Sequence, residues 1–478
     1  MKIRLPEYKW QIFFVTGLAS VTASIAMSSV NLALPVIADD FGISMSAVSW
    51  LTLAYAIIAS CTQLIFGRFA DLFGYKRQFV FGFLVYGISS ALIALVANGL
   101  AAMIVFRCIQ AVSFAMMMSI TQALCNRTFP ESERGMALGV NAIFVSVGLS
   151  VGPSISGLLM SYFSWRSIFV FNLPFCVLGV VLSALILKKD EIDTTKSQRM
   201  DWPGSLFFAL FIGLLAFAIN FSSEWGVASF RFAGFIAVSV VSLIVFIYRE
   251  SHTKMPLVNL AFFRNPVFAL SNTANLCTYI ILQMNTFLAP FFLINILSVS
   301  SSDAGLILLA SPIAQMIIAP IGGRLSDRYG SRKLSIAGLS IIAIGCVFLS
   351  MMKDTTPILW VTGGLLLFGA GNGVGTAALN STIFSAVPKD HSGMTSGMVS
   401  TMRNLGQVIA VSSAGAIMAA RQNRYLARAV EAGAAAPDGN GIYVMAQRDA
   451  YYFGVCVAAL AILCMVLIAI RKPEQKSV

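Results

Sequence analysis

The sequence predicts an all-α integral membrane protein made of two six-helix bundles joined by an inserted pair of helices, and three observations carry that reading. Hydrophobic residues make up 58% of the 478 and charged residues 11%, whereas soluble domains are roughly half apolar and about a quarter charged. A soluble fold is thereby excluded. Apolar runs long enough to cross a bilayer, about 20 residues each, recur along the whole chain with only short polar loops between them. Finally, motifs of the first half return in the second at nearly constant separation, as in transporters built from duplicated bundles.

In chain order, spans are expected near residues 10–37, 48–66, 79–97, 100–124, 136–161, 167–187, 203–222, 230–248, 266–297, 301–321, 334–352, 355–380, 393–419 and 450–470, fourteen in all. The first run, Trp10 to Ile37, is too long for the apolar region of a secretory signal and is read as a retained helix. An even number of spans puts both termini on one side. Lys and Arg crowd the loops on that side, while the other carries only Arg166, Arg231, Lys353 and four Arg between 421 and 448. The positive-inside rule therefore places both termini in the cytoplasm of a bacterial-type inner membrane. RQNRYLARAV spaces three of those outer Arg along one helical face, and an interfacial helix is expected there.

Composition also narrows the function. The net charge of +12 is spread over loops rather than gathered with aromatics on a soluble module, so nucleic acid is not an expected partner. The eight Cys lie in or at the ends of apolar runs without a CxxC, and the two His, His252 and His391, are both in loops. Neither set suits a metal site, a cofactor or hydrolytic chemistry, and an enzyme is not expected. No Walker loop is present to bind ATP.

The repeat has two parts. Gly67-Arg-Phe-Ala-Asp71-Leu-Phe-Gly74-Tyr-Lys76-Arg77, after the second span, aligns without gaps on Gly323-Arg-Leu-Ser-Asp327-Arg-Tyr-Gly330-Ser-Arg332-Lys333, after the tenth. Pro130, Gly135, Met136, Gly139, Gly148, Ser154 and Gly157 likewise meet Pro388, Gly393, Met394, Gly397, Gly406, Ser412 and Gly415. Spans 1–6 then correspond to 9–14, giving an N-terminal bundle (1–187), a linker with two extra helices (188–265) and a C-terminal bundle (266–478). Parallel repeats imply a pseudo-two-fold axis along the membrane normal and a cavity near the midplane.

These motifs resemble those of the major facilitator superfamily and, within it, the fourteen-helix multidrug exporters of the QacA/EmrB type. GRFADLFGYKR is similar to the superfamily's signature between helices 2 and 3. Arg107-Cys-Ile-Gln110 is similar to its RxxQG signature, with Ala111 in place of Gly, and Gly148-Leu-Ser-Val-Gly152-Pro153-Ser-Ile-Ser-Gly157 to the antiporter signature of helix 5. Asn31-Leu-Ala-Leu-Pro35, Trp165-Arg166, Asp201-Trp-Pro-Gly204, Phe263-Arg-Asn-Pro266 and Arg403-Asn-Leu-Gly406 match further landmarks of that branch. The resemblance implies a major facilitator fold working by alternating access, with spans 1, 4, 9 and 12 lining the cavity. In that branch an acidic residue commonly precedes the Asn of NxALP by five positions; here it is Ala26, and no Asp or Glu lies well inside any span.

Three sets of candidate residues follow. For the substrate cavity they are Asn31, Arg107, Gln110, Phe114, Met118, Asn272, Asn275, Tyr279, Gln283, Asn372, Asn380 and Arg403, because ionised and amide side chains at bilayer depth are costly without a role. A structural Arg bonded to carbonyls, and amides acting as interhelical glue, are the alternatives. For conformational gating they are Gly67, Asp71, Gly74, Lys76, Arg77, Gly323, Asp327 and Gly330, read as a latch, with Gly148, Gly152, Pro153 and Gly157, which plain close packing would also explain. For proton coupling the candidates are the acids near the outer ends of spans, Asp39, Asp40 and Glu224, or the Asp71 loop. The expected function is proton-coupled secondary export of a small amphipathic organic compound. The alternative is transport of an organic anion by Arg107 and Arg403.

Overall fold

The computed structural model describes residues 7–43, 45–130, 133–188, 200–221, 225–226, 229–253, 256–299, 301–431 and 439–470; Glu224 and the side chains of Asn31 and Pro153 lie outside the described set. Every regular element among the described residues is helical: α1 (Tyr8–Phe41), α2 (Met45–Phe73), α3 (Tyr75–Val96), α4 (Leu100–Thr128), α5 (Arg134–Tyr162), α6 (Ser167–Ile186), α7 (Trp202–Asn220), α8 (Phe230–His252), α9 (Pro266–Phe291), α10 (Ser301–Leu308), α11 (Ala310–Tyr329), α12 (Ser331–Ser350), α13 (Ile358–Ser385), α14 (Ser392–Glu431) and α15 (Gly439–Ile470). Local sequence sets several of their ends. Gly42 takes the left-handed conformation (φ 62°) that closes α1. Asn265 caps α9 by accepting from the Val267 N–H at 2.9 Å, with Pro266 occupying the first position, where its missing N–H costs nothing.

The chain forms two compact units. The first holds residues 1–217, 233–262 and 387–401; the second holds 218–232, 263–386 and 402–478. Within the first, α1 packs on α5 and α6, α2 on α4, and α3 on α4 and α6. Within the second, α9 packs on α15, α11 on α13, and α12 on α13 and α15. These are the pairings that the sequence repeat predicts when α1, α2, α3, α4 and α6 are matched to α9, α11, α12, α13 and α15. The matching extends to single residues. Gly74 is the one residue between α2 and α3, with φ 100° and ψ 140°; Gly330, between α11 and α12, has φ 95° and ψ 136°. That region is open essentially to glycine alone, which explains why both copies keep it.

Lipid tails are as apolar as leucine, so helices associate here through close approach of small residues. A side chain at Gly371 of α13 would lie 2.8 Å from the Gly338 carbonyl oxygen of α12, and one at Gly373 would lie 3.0 Å from the Ala319 nitrogen of α11. The FGAGNGVG stretch thus gives α13 two glycine faces for its two neighbours. Larger side chains fill the first unit, where Phe79, Phe83 and Tyr86 of α3 are buried against α4 and α6.

Twelve helical stretches among the described residues are long and apolar enough to cross a membrane, which makes this a multi-pass membrane protein. The fifth and thirteenth expected spans correspond to α5 and α14, helices of 29 and 40 residues outside that set. One expectation is corrected. RQNRYLARAV is not a separate interfacial helix but the last turns of α14, which runs unbroken from Ser392 to Glu431. Between Gly415 and Glu431 the sequence is rich in Ala and Arg and has no Gly or Pro to end the helix.

Candidate functional site

The first site is built at the junction of α2 and α3. Helical geometry leaves the first N–H groups of α14 without partners in their own helix, and Asp71 at the end of α2 supplies them. Its Oδ1 accepts from the Gly393 N–H at 2.9 Å and its Oδ2 from the Met394 N–H at 2.8 Å. The carboxylate also sits where the helix dipole is positive. Tyr75, one turn beyond Asp71, donates its hydroxyl to Oδ1, and the Arg127 guanidinium lies 4.7 Å over the Tyr75 ring. Gly67 lets the backbones touch: a Cβ there would collide with the Gly393 carbonyl oxygen and lie 3.1 Å from the Gly397 Cα. Asp71, Gly67 and the first ten residues of α14 all belong to the first unit. Of the other expected gating residues in this loop, Lys76 is half-buried and Arg77 exposed. In the second copy Gly323 is buried and Asp327 half-buried.

The second site is the Arg107 pocket of the first unit. Arg107 is 1% exposed, and its guanidinium has three neighbours. Nε donates to the Leu51 carbonyl at 3.4 Å, Nη1 to Gln110 Oε1 at 2.6 Å, and the plane lies 4.1 Å over the Tyr55 ring. Gln110 passes the chain on to the Ser90 hydroxyl at 2.7 Å. Phe114 closes one side against Tyr55, ring centroids 5.6 Å apart, and Met118 packs on the neighbouring core. The i, i+3, i+7 spacing read on α4 therefore does bring Arg107, Gln110 and Phe114 together. Tyr55 and Ser90 complete the pocket and carry no sequence signal of their own.

In the second unit Arg403 of α14 lies beside the Tyr279 hydroxyl of α9, a second Arg–Tyr pair. Asn272 and Asn275 are buried on the same helix, Asn272 donating to the Phe268 carbonyl at 2.9 Å, while Gln283 is half-buried. Asn285 turns to α15 and accepts from Tyr451 at 3.1 Å. On α13, Asn372 accepts from Thr376 and Asn380 is buried.

The glycines of α5 form a groove for α1. A side chain at Gly148 would lie 2.9 Å from the Val21 carbonyl, and one at Gly152 would overlap Ser28 Oγ; Gly157 is half-buried. Gly406, the repeat partner of Gly148, meets α9 in the same way, with Leu276 O at 2.9 Å. Adding a β-branched side chain here forces two backbones apart, an overpacking of about 1–3 kcal/mol. Gly152→Val is expected to cut transport at least tenfold at equal membrane expression, measured as initial uptake in proteoliposomes.

At the opposite end of α1, Asp40 is a brace. The Trp165 indole N–H donates to it at 2.9 Å and Arg166 at 3.3 Å, and Arg166 also reaches the Ala97 carbonyl at 3.3 Å. The indole hydrogen bond, then the guanidinium, hold its carboxyl below the ordinary carboxylate range. A depressed native value stabilises the fold above the unfolded pKa, and that contribution fades as pH falls through the native one. Asp40→Asn is thus expected to lower the melting temperature at pH 7 and to converge with wild type towards about pH 3, as read by thermal unfolding in detergent. Asp39 is exposed.

The comparisons agree with this architecture. The chain is 28% identical to the riboflavin transporter RibZ of Clostridioides difficile over 472 residues, covering 98% of this chain and 99% of that protein. It is 28% identical to the multidrug resistance protein Stp of Mycobacterium tuberculosis, over 85% of this chain and 75% of that one. The solved human organic anion transporter MFSD10 (TETRAN) shares the fold with a TM-score of 0.69 at 13% identity, covering 96% of this chain and all of that one. The Major Facilitator Superfamily model matches residues 16–411 and 273–478. With the duplicated loop, the Asp71 contact and the matched helix pairings of the two units, this places the chain in the major facilitator superfamily.

Proposed function

We propose that this transporter exports a small amphipathic organic compound by alternating access, driven by proton entry, through fourteen spans that include α5 and α14 and with both termini in the cytoplasm. The observation that carries the alternating-access reading is the Asp71 carboxylate on the Gly393 and Met394 amides. Two hydrogen bonds and a dipole contact form a seal strong enough to favour one state, yet breakable when substrate binds. The relatives named for riboflavin and for multidrug resistance support a substrate that is organic, partly aromatic and partly polar. The Arg403–Tyr279 pair, the α9 amides and the Arg107 pocket are the groups we assign to substrate recognition, together with Asn31, Asn372 and Asn380.

Asp40 is engaged by Trp165 and Arg166 and held ionised, the wrong direction for exchanging protons at neutral pH. That leaves the exposed Asp39, and Glu224, which lies outside the described residues. A second reading, transport of an organic anion, is favoured by two Arg–Tyr pairs with no Asp or Glu in the middle of any span. The deciding experiment follows a lipophilic cation and, separately, an amphipathic organic anion into proteoliposomes of purified protein, with and without an imposed pH gradient. Gradient-driven cation movement supports the exporter. Anion movement without cation movement replaces it with the second reading.

A further inference from the structure

The Asp71 latch joins α2 to α14, and two side chains from the last turn of a third helix, α4, touch its two halves. Asn126 and Arg127 are neighbours in sequence, so they leave α4 about 100° apart around the helix. Asn126 is 2% exposed and turns to α14: its Nδ2 donates to the Ser392 hydroxyl at 3.4 Å, one residue before the Gly393 amide. Asn126 Oδ1 is buried with no partner among the described residues, so Ser392 is the contact that fixes this side chain. Arg127 is exposed and turns to the junction of α2 and α3, where its guanidinium lies 4.7 Å over the Tyr75 ring.

Two hydrogen bonds to backbone amides require the carboxylate in one rotamer and the start of α14 in one place. Asp71 gives one oxygen to each amide, Oδ1 to Gly393 and Oδ2 to Met394, so rotation of its side chain loses both. Tyr75 opposes that rotation by donating its hydroxyl to Oδ1. A carboxylate oxygen has lone pairs for two donors, so Tyr75 adds to the Gly393 bond rather than displacing it. The ring that carries this hydroxyl is 2% exposed, and the Arg127 cation is attracted to its face. Arg127 thereby holds the ring, and through it the hydroxyl, against Asp71. In the second copy of the loop Ser331 stands where Tyr75 stands in the first, so the duplication does not dictate this arrangement.

We infer that the last turn of α4 brackets the latch, with Arg127 positioning the Asp71 carboxylate through Tyr75 and Asn126 positioning the α14 amides through Ser392. The inference rests on the latch reading and adds two positioning residues to it. They lie about five turns along from Arg107 and Gln110 on the same helix. α4 has neither Gly nor Pro between Leu100 and Thr128 to hinge it.

The test is hydrogen–deuterium exchange of the purified full-length protein, following peptides that cover 393–394 and, as a control, 204–205, whose amides are bonded to Asp201. The Gly393 and Met394 amides have no intrahelical partner, so their protection reports the latch directly. Asp71→Asn is expected to raise exchange at 393–394 at least fivefold. Tyr75→Phe, which keeps the ring and removes the hydroxyl, is expected to raise it at least threefold, and Arg127→Ala at least twofold. Arg127→Ala combined with Tyr75→Phe is expected to go no further than Tyr75→Phe alone, because Arg127 acts through that hydroxyl. Arg127→Lys, which keeps a cation for the ring, is expected to stay below twofold. Asn126→Ala is expected to raise exchange at least twofold and to multiply with Tyr75→Phe, because it acts on the other partner. Exchange at 204–205 is expected to stay at the wild-type rate in all of them. Wild-type exchange at 393–394 in Arg127→Ala or in Asn126→Ala, a full Arg127→Ala effect on top of Tyr75→Phe, or equal loosening at 204–205 overturns the bracket while leaving the latch standing. No change at 393–394 in Asp71→Asn overturns the latch itself and the inference with it.

Discussion

Replacing Arg107 by alanine is expected to abolish transport, a loss of at least a hundredfold in initial uptake, while the protein still inserts and purifies. The side chain is 1% exposed and touches three groups, the Leu51 carbonyl, Gln110 and the Tyr55 face, and Gln110 in turn holds Ser90. Removing it leaves the buried Gln110 amide oxygen without a donor, about 1–3 kcal/mol, and takes a second donor from the Leu51 carbonyl, which keeps its helical partner. A membrane bundle with large apolar contacts survives that cost, but the helices α2, α3 and α4 lose the polar pin that fixes their register. Lysine does not rescue it, because a point charge cannot supply the planar fork that reaches a carbonyl and an amide while stacking on a ring. Uptake by Arg107→Lys is expected to remain below a tenth of wild type. Normal uptake by a well-expressed Arg107→Ala variant would remove Arg107 from the functional site and leave recognition to the α9 and α14 residues.

How much of this was legible in the sequence depends on whether the signal was periodic or spatial. The spans were legible because about 20 consecutive apolar residues have few alternatives to a membrane helix. The repeat was legible because Gly74 and Gly330 must adopt a backbone that other residues avoid, so both halves keep the same punctuation. Asp71 could be marked as a gating residue because its loop occurs twice, but its partners could not: the Gly393 and Met394 amides are backbone groups more than three hundred residues away, and a backbone N–H leaves no trace in a residue pattern. The same holds for Arg107, whose carbonyl partner is anonymous and whose stacking partner, Tyr55, is one of twelve tyrosines in the chain. The α14 extension was misjudged for a different reason. Arginines at helical spacing fit an interfacial helix and the end of a long span equally well, and only the absence of a breaker decides between them. Arg127 went unmarked because a cation at the start of a basic loop looks like ordinary solvated charge until its place over the Tyr75 ring is seen.

The glycine pair at the latch gives the other large effect. Gly67 and Gly393 face each other so closely that a methyl on either would collide with the carbonyl oxygen of the other, and a Cβ at Gly393 would also lie 2.7 Å from Asp71 Oδ1. Backbone atoms on both sides leave nothing flexible to give way, unlike a contact with the far end of a long side chain. Gly67→Ala and Gly393→Ala are therefore expected to prop α2 and α14 apart and to lengthen the Asp71 hydrogen bonds. Uptake is expected to fall at least tenfold, with faster exchange at Met394. The matching control lies on the same helix: a Cβ at Gly415 meets nothing within 4 Å. Alanine there also gains helix propensity, roughly 1 kcal/mol in an exposed helix, so Gly415→Ala is expected to transport like wild type and to melt no lower. If Gly67→Ala and Gly415→Ala behave alike in uptake and exchange, close approach at Gly67 has no part in the cycle, and the α2–α14 contact is ordinary packing. If only Gly67→Ala and Gly393→Ala fail, the need for glycine is local to the latch, and the repeated Gly of the signature loop is explained by the neighbour it must touch rather than by flexibility.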